Sequence, residues 1–285
     1  MKVLWNIINW FLSIRFFILN NNNDNFNTQI EKIKEKWNID FIDNFINSDK
    51  WVVQEEGNWG SAVPNNISVS SPKNVQFNNN GLLIISKKEI TPITGKGWYG
   101  ESITRNYSSG NITSKDYFLS TNFARYTVIC SISKNALGSW PAFWLFSIFT
   151  EGEETTPFEN RTYFEIDGFE QFGKTLNTLN KLTFTVHRGI TSKRTPIGSK
   201  SYLPENSEGY TFMNCMVLNK KIIKIYVNNI LVFITNLKQP VKRNHLVVKI
   251  GDCVHDWNGT IDILEINKTL PHTFNVQKFI KWSQK

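Results

Sequence analysis

The sequence is poor in residues that would staple a fold or bind a metal by themselves. It has only three cysteines in 285 residues, Cys130, Cys215 and Cys253. An odd count without paired spacing gives no disulfide framework and no zinc motif, so buried free thiols are the expectation. It also lacks a long Lys/Arg cluster and any nucleic-acid-binding motif. That argues against a nucleic-acid partner despite a net charge of +8 and a pI near 9.3. The basic balance still favours anionic partners, such as a membrane surface or a sulfated or carboxylated glycan. Abundant Asn, Ile and Lys offer a compositional source for the same excess. No apolar run is long enough to be an uninterrupted membrane span. Residues 1–19 are apolar, but Asn6, Asn9, Ser13 and Arg15 interrupt them and no small-residue cleavage site follows. A secretory signal and a retained amphipathic segment for docking to a membrane or protein assembly are both open, the interruptions favouring retention. Either puts the protein outside the cell or on a surface or particle.

What the chain does have is an acidic strand with apolar neighbours, Tyr163-Phe164-Glu165-Ile166-Asp167-Gly168-Phe169-Glu170. Side chains alternate along a strand, so Glu165 and Asp167 share one face while Phe164 and Ile166 share the other. Strict alternation then puts Phe169 beside the acids. One extra residue, a β-bulge, returns Glu170 to the acidic face, and Gly168 tolerates backbone that a bulge can need. Acids are depleted in strands, and like charges this close raise the pKa of one of them. A solvated acidic strand face is the plain alternative. Two carboxyls about 5 Å apart are what a retaining glycosidase requires, one as nucleophile and one as general acid/base.

This Glu-Ile-Asp-x-x-Glu motif, preceded by Gly138-Ser139-Trp140-Pro141-Ala142-Phe143-Trp144-Leu145-Phe146, resembles glycoside hydrolase family 16. Further segments resemble the family in order, over about residues 40 to 268. These are Phe41 to Phe45 as an opening strand, Asn74-Val75 with Gly81 to Ile85 as the next pair, and Tyr107 to Lys115 as a turn. Gly259 to Ile266 resembles the closing strand. The resemblance implies a concanavalin-like β-jelly-roll sandwich of two antiparallel sheets, all-β, with short helical N- and C-terminal extensions. It implies Glu165 as nucleophile, Asp167 as assisting acid and Glu170 as general acid/base of an endo-acting retaining hydrolase of β-linked polysaccharide. Trp140, Trp144 and His187 are the implied substrate contacts, Trp140 first, because an aromatic ring can stack on a sugar face. Core packing is the alternative for either tryptophan, and an ordinary hydrogen-bonded role for His187. No cofactor is required, although many members hold a structural calcium, for which Asp262 matches the side-chain ligand. Gly168 departs from the family's larger apolar residue, and Leu176 from a small one. A non-catalytic glycan-binding or assembly jelly roll is the competing reading, and the three crowded acids favour the enzyme.

Along the rest of the chain, residues 1–37 read as an N-terminal extension: the apolar segment, an Asn-rich linker over Asn20 to Asn27, and a helix over Thr28 to Trp37. Ile30, Ile33 and Trp37 recur there at helical spacing and would pack on the β domain. Residues 38–270 read as the sandwich. Thr94 to Asn106 reads as a loop, which the resemblance places at the edge of the cleft, with Trp98 and Arg105 either as sugar contacts or as residues that stabilise the loop, and 190–209 reads as a polar loop. Asn228-Asn229 reads as a tight hairpin turn. Residues 271–285 read as a basic tail.

Overall fold

The computed structural model describes residues 26–46, 49–55, 66–97, 101–115, 123–147, 155–174, 181–190, 192–202, 211–219, 221–237, 246–257 and 259–285. The apolar segment 1–19, most of the Asn-rich linker, Trp98 and Leu176 lie outside the described residues. The chain is a two-sheet β-sandwich. A seven-stranded sheet runs edge to edge as β12 (Lys193–Tyr202), β11 (Leu182–Ile190), β10 (Thr162–Gln171), β9 (Ala142–Ser147), β16 (Val247–Gly251), β7 (Asn111–Ser114) and β2 (Trp51–Val53). A ten-stranded sheet runs as β15 (Ile230–Asn236), β14 (Ile222–Val227), β13 (Thr211–Asn219), β8 (Phe123–Ile132), β17 (His272–Gln284), β5 (Gly81–Lys96), β6 (Ser102–Ser109) and β3 (Ser68–Ser70). Two more strands join it, β1 (Trp37–Asp43) on β17 and β4 (Val75–Asn78) on β5. Every pairing between these strands is antiparallel except β3 with β6.

The core lies between the sheets. Phe143, Leu145, Phe164, Ile166, Phe169 and Phe184 from the smaller sheet join Tyr126, Val128, Met216, Phe274 and Phe279 from the larger one. Each such side chain contributes about 1.5–3 kcal/mol through burial. All three cysteines are buried and free, as their sparse count implies. Asn228 and Asn229 turn β14 into β15 with positive φ at both positions (49° and 64°), the geometry a two-residue hairpin needs. Helix α1 (Phe26–Lys34) lays Ile30 and Ile33 against Ile129, Met213, Ile280 and Trp282 on the outside of the larger sheet.

Four expectations are overturned. The segment from 271 is no tail and no helical extension. As β17 it runs through the larger sheet between β8 and β5, so the sandwich extends to its end. A register shift between Val276 and Lys278 hides this in sequence. Before it Phe274 and Val276 face the main core; after it Phe279 does, and Ile280 and Trp282 face α1. Helix α2 (Ile263–Thr269) replaces the expected closing strand at 260–266. Asp262 caps it, its Oδ1 accepting from Leu264 N at 2.8 Å, and a capped N-terminus outweighs the short Ile/Asp alternation. Asp262 is therefore a helix cap and not part of a closing strand. Of the expected loop, residues 94–96 belong to β5 and 102–106 to β6, and there Arg105 donates to Thr104 O at 3.1 Å. The polar stretch after Ile190 includes β12, an edge strand. An edge strand need bury little apolar surface, so it carries no hydrophobic alternation to read.

Candidate active site

The acidic face is built by one irregularity in β10. On one side Glu165 pairs with His187 and Asp167 with Thr185 of β11, and the next pair is Glu170 with Thr183. On the other side Asp167 opposes Trp144, and Phe169 already opposes Phe143 of β9. Gly168 is the extra residue, and the bulge falls where the acid spacing predicts it. Phe169 is turned wholly into the core, edge-on to Phe212 at 5.1 Å and Phe274 at 5.9 Å. Glu170 is returned to the face of Glu165 and Asp167.

The reason for glycine here is space. Gly168 is not among the residues with positive φ. A Cβ added to it would stand 2.8 Å from Asn214 Oδ1, 2.9 Å from Phe143 Cδ1 and 3.0 Å from Met216 Cε. Asn214, fully buried on β13, donates through Nδ2 to the Gly168 carbonyl at 2.8 Å. The opposite sheet thus fills the room a larger residue would take and satisfies the carbonyl that the bulge displaces from the ladder.

The acids and their neighbours form one hydrogen-bonded and electrostatic group. Tyr163, two residues before Glu165 and on its face, donates its hydroxyl to Glu165 Oε2. His187 Nε2 lies 3.4 Å from Asp167 Oδ2 and 3.8 Å from Glu165 Oε1, bridging the pair. Asp167 is almost fully covered, at 3% exposure. Glu170 is pushed well above the usual carboxylate range by burial, and further by the charges of Asp167 and Glu165. His187 and the indole N–H of Trp140 oppose this only in part. The face thus carries a carboxyl that holds its proton to higher pH than a free glutamate, beside two acids whose charge favours that proton. Glu165, Asp167 and His187 also present donor atoms within 4.8 Å of one another, a set that could hold a metal ion. Such an ion would compete with any ligand for the same carboxylates.

Trp140 stands at the other end of the row, just before β9. Its Nε1 donates to Glu170 Oε1 at 3.0 Å. Its ring is half-buried and packs against Phe172 at 5.3 Å, His255 at 5.2 Å and Trp257 at 5.4 Å. Trp257, at φ 52°, stacks on His255 at 4.3 Å. Asp252 anchors the group from below, accepting from Trp140 N at 2.8 Å, Cys253 N at 2.9 Å and Ser86 Oγ at 2.6 Å. Burial pushes the Asp252 carboxyl up to about 6 against these hydrogen bonds. Trp144 shares the acidic face but is only 4% exposed, so it offers little open ring surface. Trp140→Phe removes a donor that favours the ionised acid, so the Glu170 pKa rises further. Carboxyl titration of labelled protein by NMR measures this, and an unchanged or lower pKa would contradict the assigned hydrogen bond.

No protein-family model matches the chain, and no curated protein matches it in sequence. Solved structures do match in fold. The laminarinase catalytic domain of Thermotoga maritima superposes with a TM-score of 0.65 at 20% identity, covering 87% of this chain and 99% of that one. The κ-carrageenase of Pseudoalteromonas carrageenovora gives 0.67 at 17% identity, covering 87% and 96%. The endo-β-1,3-glucanase of Pyrococcus furiosus gives 0.66 at 21% identity, covering 87% and 95%. The fold is shared with these enzymes.

Of the residues singled out in sequence, Glu165, Asp167, Glu170, His187 and Trp140 come together on the outer side of the smaller sheet. Trp144 lies in its floor, and Asp262 belongs to α2. Sequence reasoning missed Tyr163, Asp252, His255, Trp257 and Lys249. Tyr163 was legible, since it has the parity of Glu165. The other four arrive from β16 and the segment after it, more than 75 residues downstream, and no local pattern links them to the acids.

Proposed function

We propose that the protein is an endo-acting retaining glycoside hydrolase of family 16, cleaving a β-linked polysaccharide, a β-1,3-glucan or a galactan, by double displacement. The observation that carries this is the row Glu165, Asp167, Glu170 on one face, with Glu170 driven well above the ordinary carboxylate range by burial and by the charges beside it. In the first step Glu165 attacks the anomeric carbon as Glu170 gives its proton to the departing glycosidic oxygen. The carbon–oxygen bond breaks and a glycosyl ester to Glu165 forms. Glu170, now ionised, takes a proton from water, which attacks the same carbon and releases Glu165 with net retention. Asp167, lying between the two and touching His187, keeps negative charge beside Glu170 and so favours its reprotonation. Tyr163 and His187 orient Glu165. The group of Trp140, His255 and Trp257 offers ring faces to a sugar beside the acid. The fold shared with laminarinases and a κ-carrageenase supports the substrate class.

The test is reducing-end release from laminarin, mixed-linkage glucan, agarose, porphyran and κ-carrageenan, with Glu165→Gln run beside wild type. Release by wild type alone supports the proposal and names the glycan. A folded protein that binds one of these glycans and releases nothing is a binding module instead.

A further inference from the structure

Lys249 is a cation set into the floor of the acidic face. It lies on β16 opposite Trp144, which in turn opposes Asp167, so Asp167, Trp144 and Lys249 form one row across three strands. The row puts Lys249 two strand spacings, about 10 Å, from the strand of the acids. Its side chain is nine-tenths covered. The ammonium lies 5.9 Å from the ring centre of Trp144 and 5.1 Å from that of Phe146. Among the described residues no carboxylate comes within 4.0 Å of Nζ and no protein acceptor bonds it. The stem is covered while Nζ is not among the fully buried unpaired atoms, so the ammonium meets the open side of the acidic face with only two weakly interacting aromatic rings beside it. Burial pushes its pKa down to about 8, with the charge of Glu165 opposing that fall, so the group is still a cation at neutral pH.

We propose that Lys249 is a specificity residue that receives an anionic substituent of the glycan, a sulfate ester or a uronate carboxylate, close to the bond that is cleaved. This rests on the glycan-cleaving reading above and sharpens its substrate class. The anion supplies the acceptor Lys249 lacks, and a charge-assisted hydrogen bond in so covered a site discriminates strongly against a neutral sugar. The aromatic floor holds the lysine stem in place, so little freedom is lost on binding.

The test uses the full chain carrying Glu165→Gln, so that probes are bound and not consumed. The probes are κ-carrageenan oligosaccharides for sulfate, an oligoglucuronan for carboxylate, and neutral agaro- and laminari-oligosaccharides. One charged probe is expected to bind roughly tenfold or more tightly than its neutral counterparts. Lys249→Met should erase that preference and leave neutral binding unchanged. Lys249→Arg should keep it, and Lys249→Gln serves where Met perturbs the melting temperature. Which charged probe wins identifies the anion. Equal binding of charged and neutral probes, or a preference that survives both neutral variants, overturns the inference. A second arm compares Lys249→Met in the otherwise wild-type protein on neutral and charged substrates. If kcat falls equally on both while KM stays, Lys249 acts only through its charge on Glu165 and the inference fails. Charge-selective binding by a protein that releases nothing would sink the hydrolase proposal and leave Lys249 in its role.

Discussion

Glu165→Gln is expected to abolish glycan release by about a thousandfold or more, with the melting temperature little changed. The amide keeps the shape and can still accept the Tyr163 hydroxyl, but it cannot form the glycosyl ester. Glu170→Ala should behave differently, and the contrast separates the two roles. An aryl glycoside with a good leaving group needs no proton, so the first step survives on such a substrate. The ester on Glu165 then waits for a base that is missing, and added azide, which needs none, should restore turnover and give a product of retained configuration. Azide that fails to rescue Glu170→Ala, or rescues it with inverted configuration, would remove the double-displacement assignment. The pH profile follows from the same group. Glu170 must hold its proton to act, and its folded-state pKa lies well above the ordinary range. Activity should persist above the pH at which a free glutamate has ionised, and fall only as pH rises through that raised pKa. A rate that falls instead through the range of an unperturbed carboxylate would contradict the burial that surrounds Glu170.

Gly168→Ala is expected to destabilise the protein by about 1–3 kcal/mol and to cut activity out of proportion. Three side chains would have to yield to the new methyl: Asn214, Phe143 and Met216. None is free to leave, because Asn214 holds the Gly168 carbonyl and the others are core. The strain falls on the residue that decides whether Glu170 or Phe169 faces outward. Thermal melting reads the first effect, at roughly 2–4 °C per kcal/mol for a domain near this size. Reducing-end release reads the second. Asn214→Ala should also destabilise, since it leaves the bulge carbonyl unpaired in the core, by about 1–3 kcal/mol. The two substitutions share a contact, so the double variant should lose less than the sum of the single losses. Additive losses, or an unchanged melting temperature for Gly168→Ala, would show that the bulge is not held by this packing.

The acidic row was legible from the sequence because it is local. Alternation along one strand, with a single extra residue, determines which of Glu165, Asp167, Phe169 and Glu170 face together, and eight consecutive residues contain all of that information. The same holds for the Asn228-Asn229 turn and for the buried spacing of Ile30 and Ile33. The closing strand was not legible. In β17 a bulge changes the parity between Val276 and Phe279, and both faces of its later half are buried, one under the opposite sheet and one under α1. Alternation therefore disappears where the strand is most central. The short Ile/Asp alternation at 260–266 misled for the converse reason, since a capping aspartate starts a helix whatever the parity of its neighbours. The cation in the floor and the group of Trp140, His255 and Trp257 needed the tertiary structure. Cross-strand pairing brings Lys249 level with Asp167, and Asp252 ties the backbone of Trp140 from more than a hundred residues away. The sequence by itself determined which acids share a face. Only the folding of distant strands against them decided how strongly Glu170 is pushed up, because the largest cause is burial, which the local chain cannot supply, and the charges of Asp167 and Glu165 only add to it.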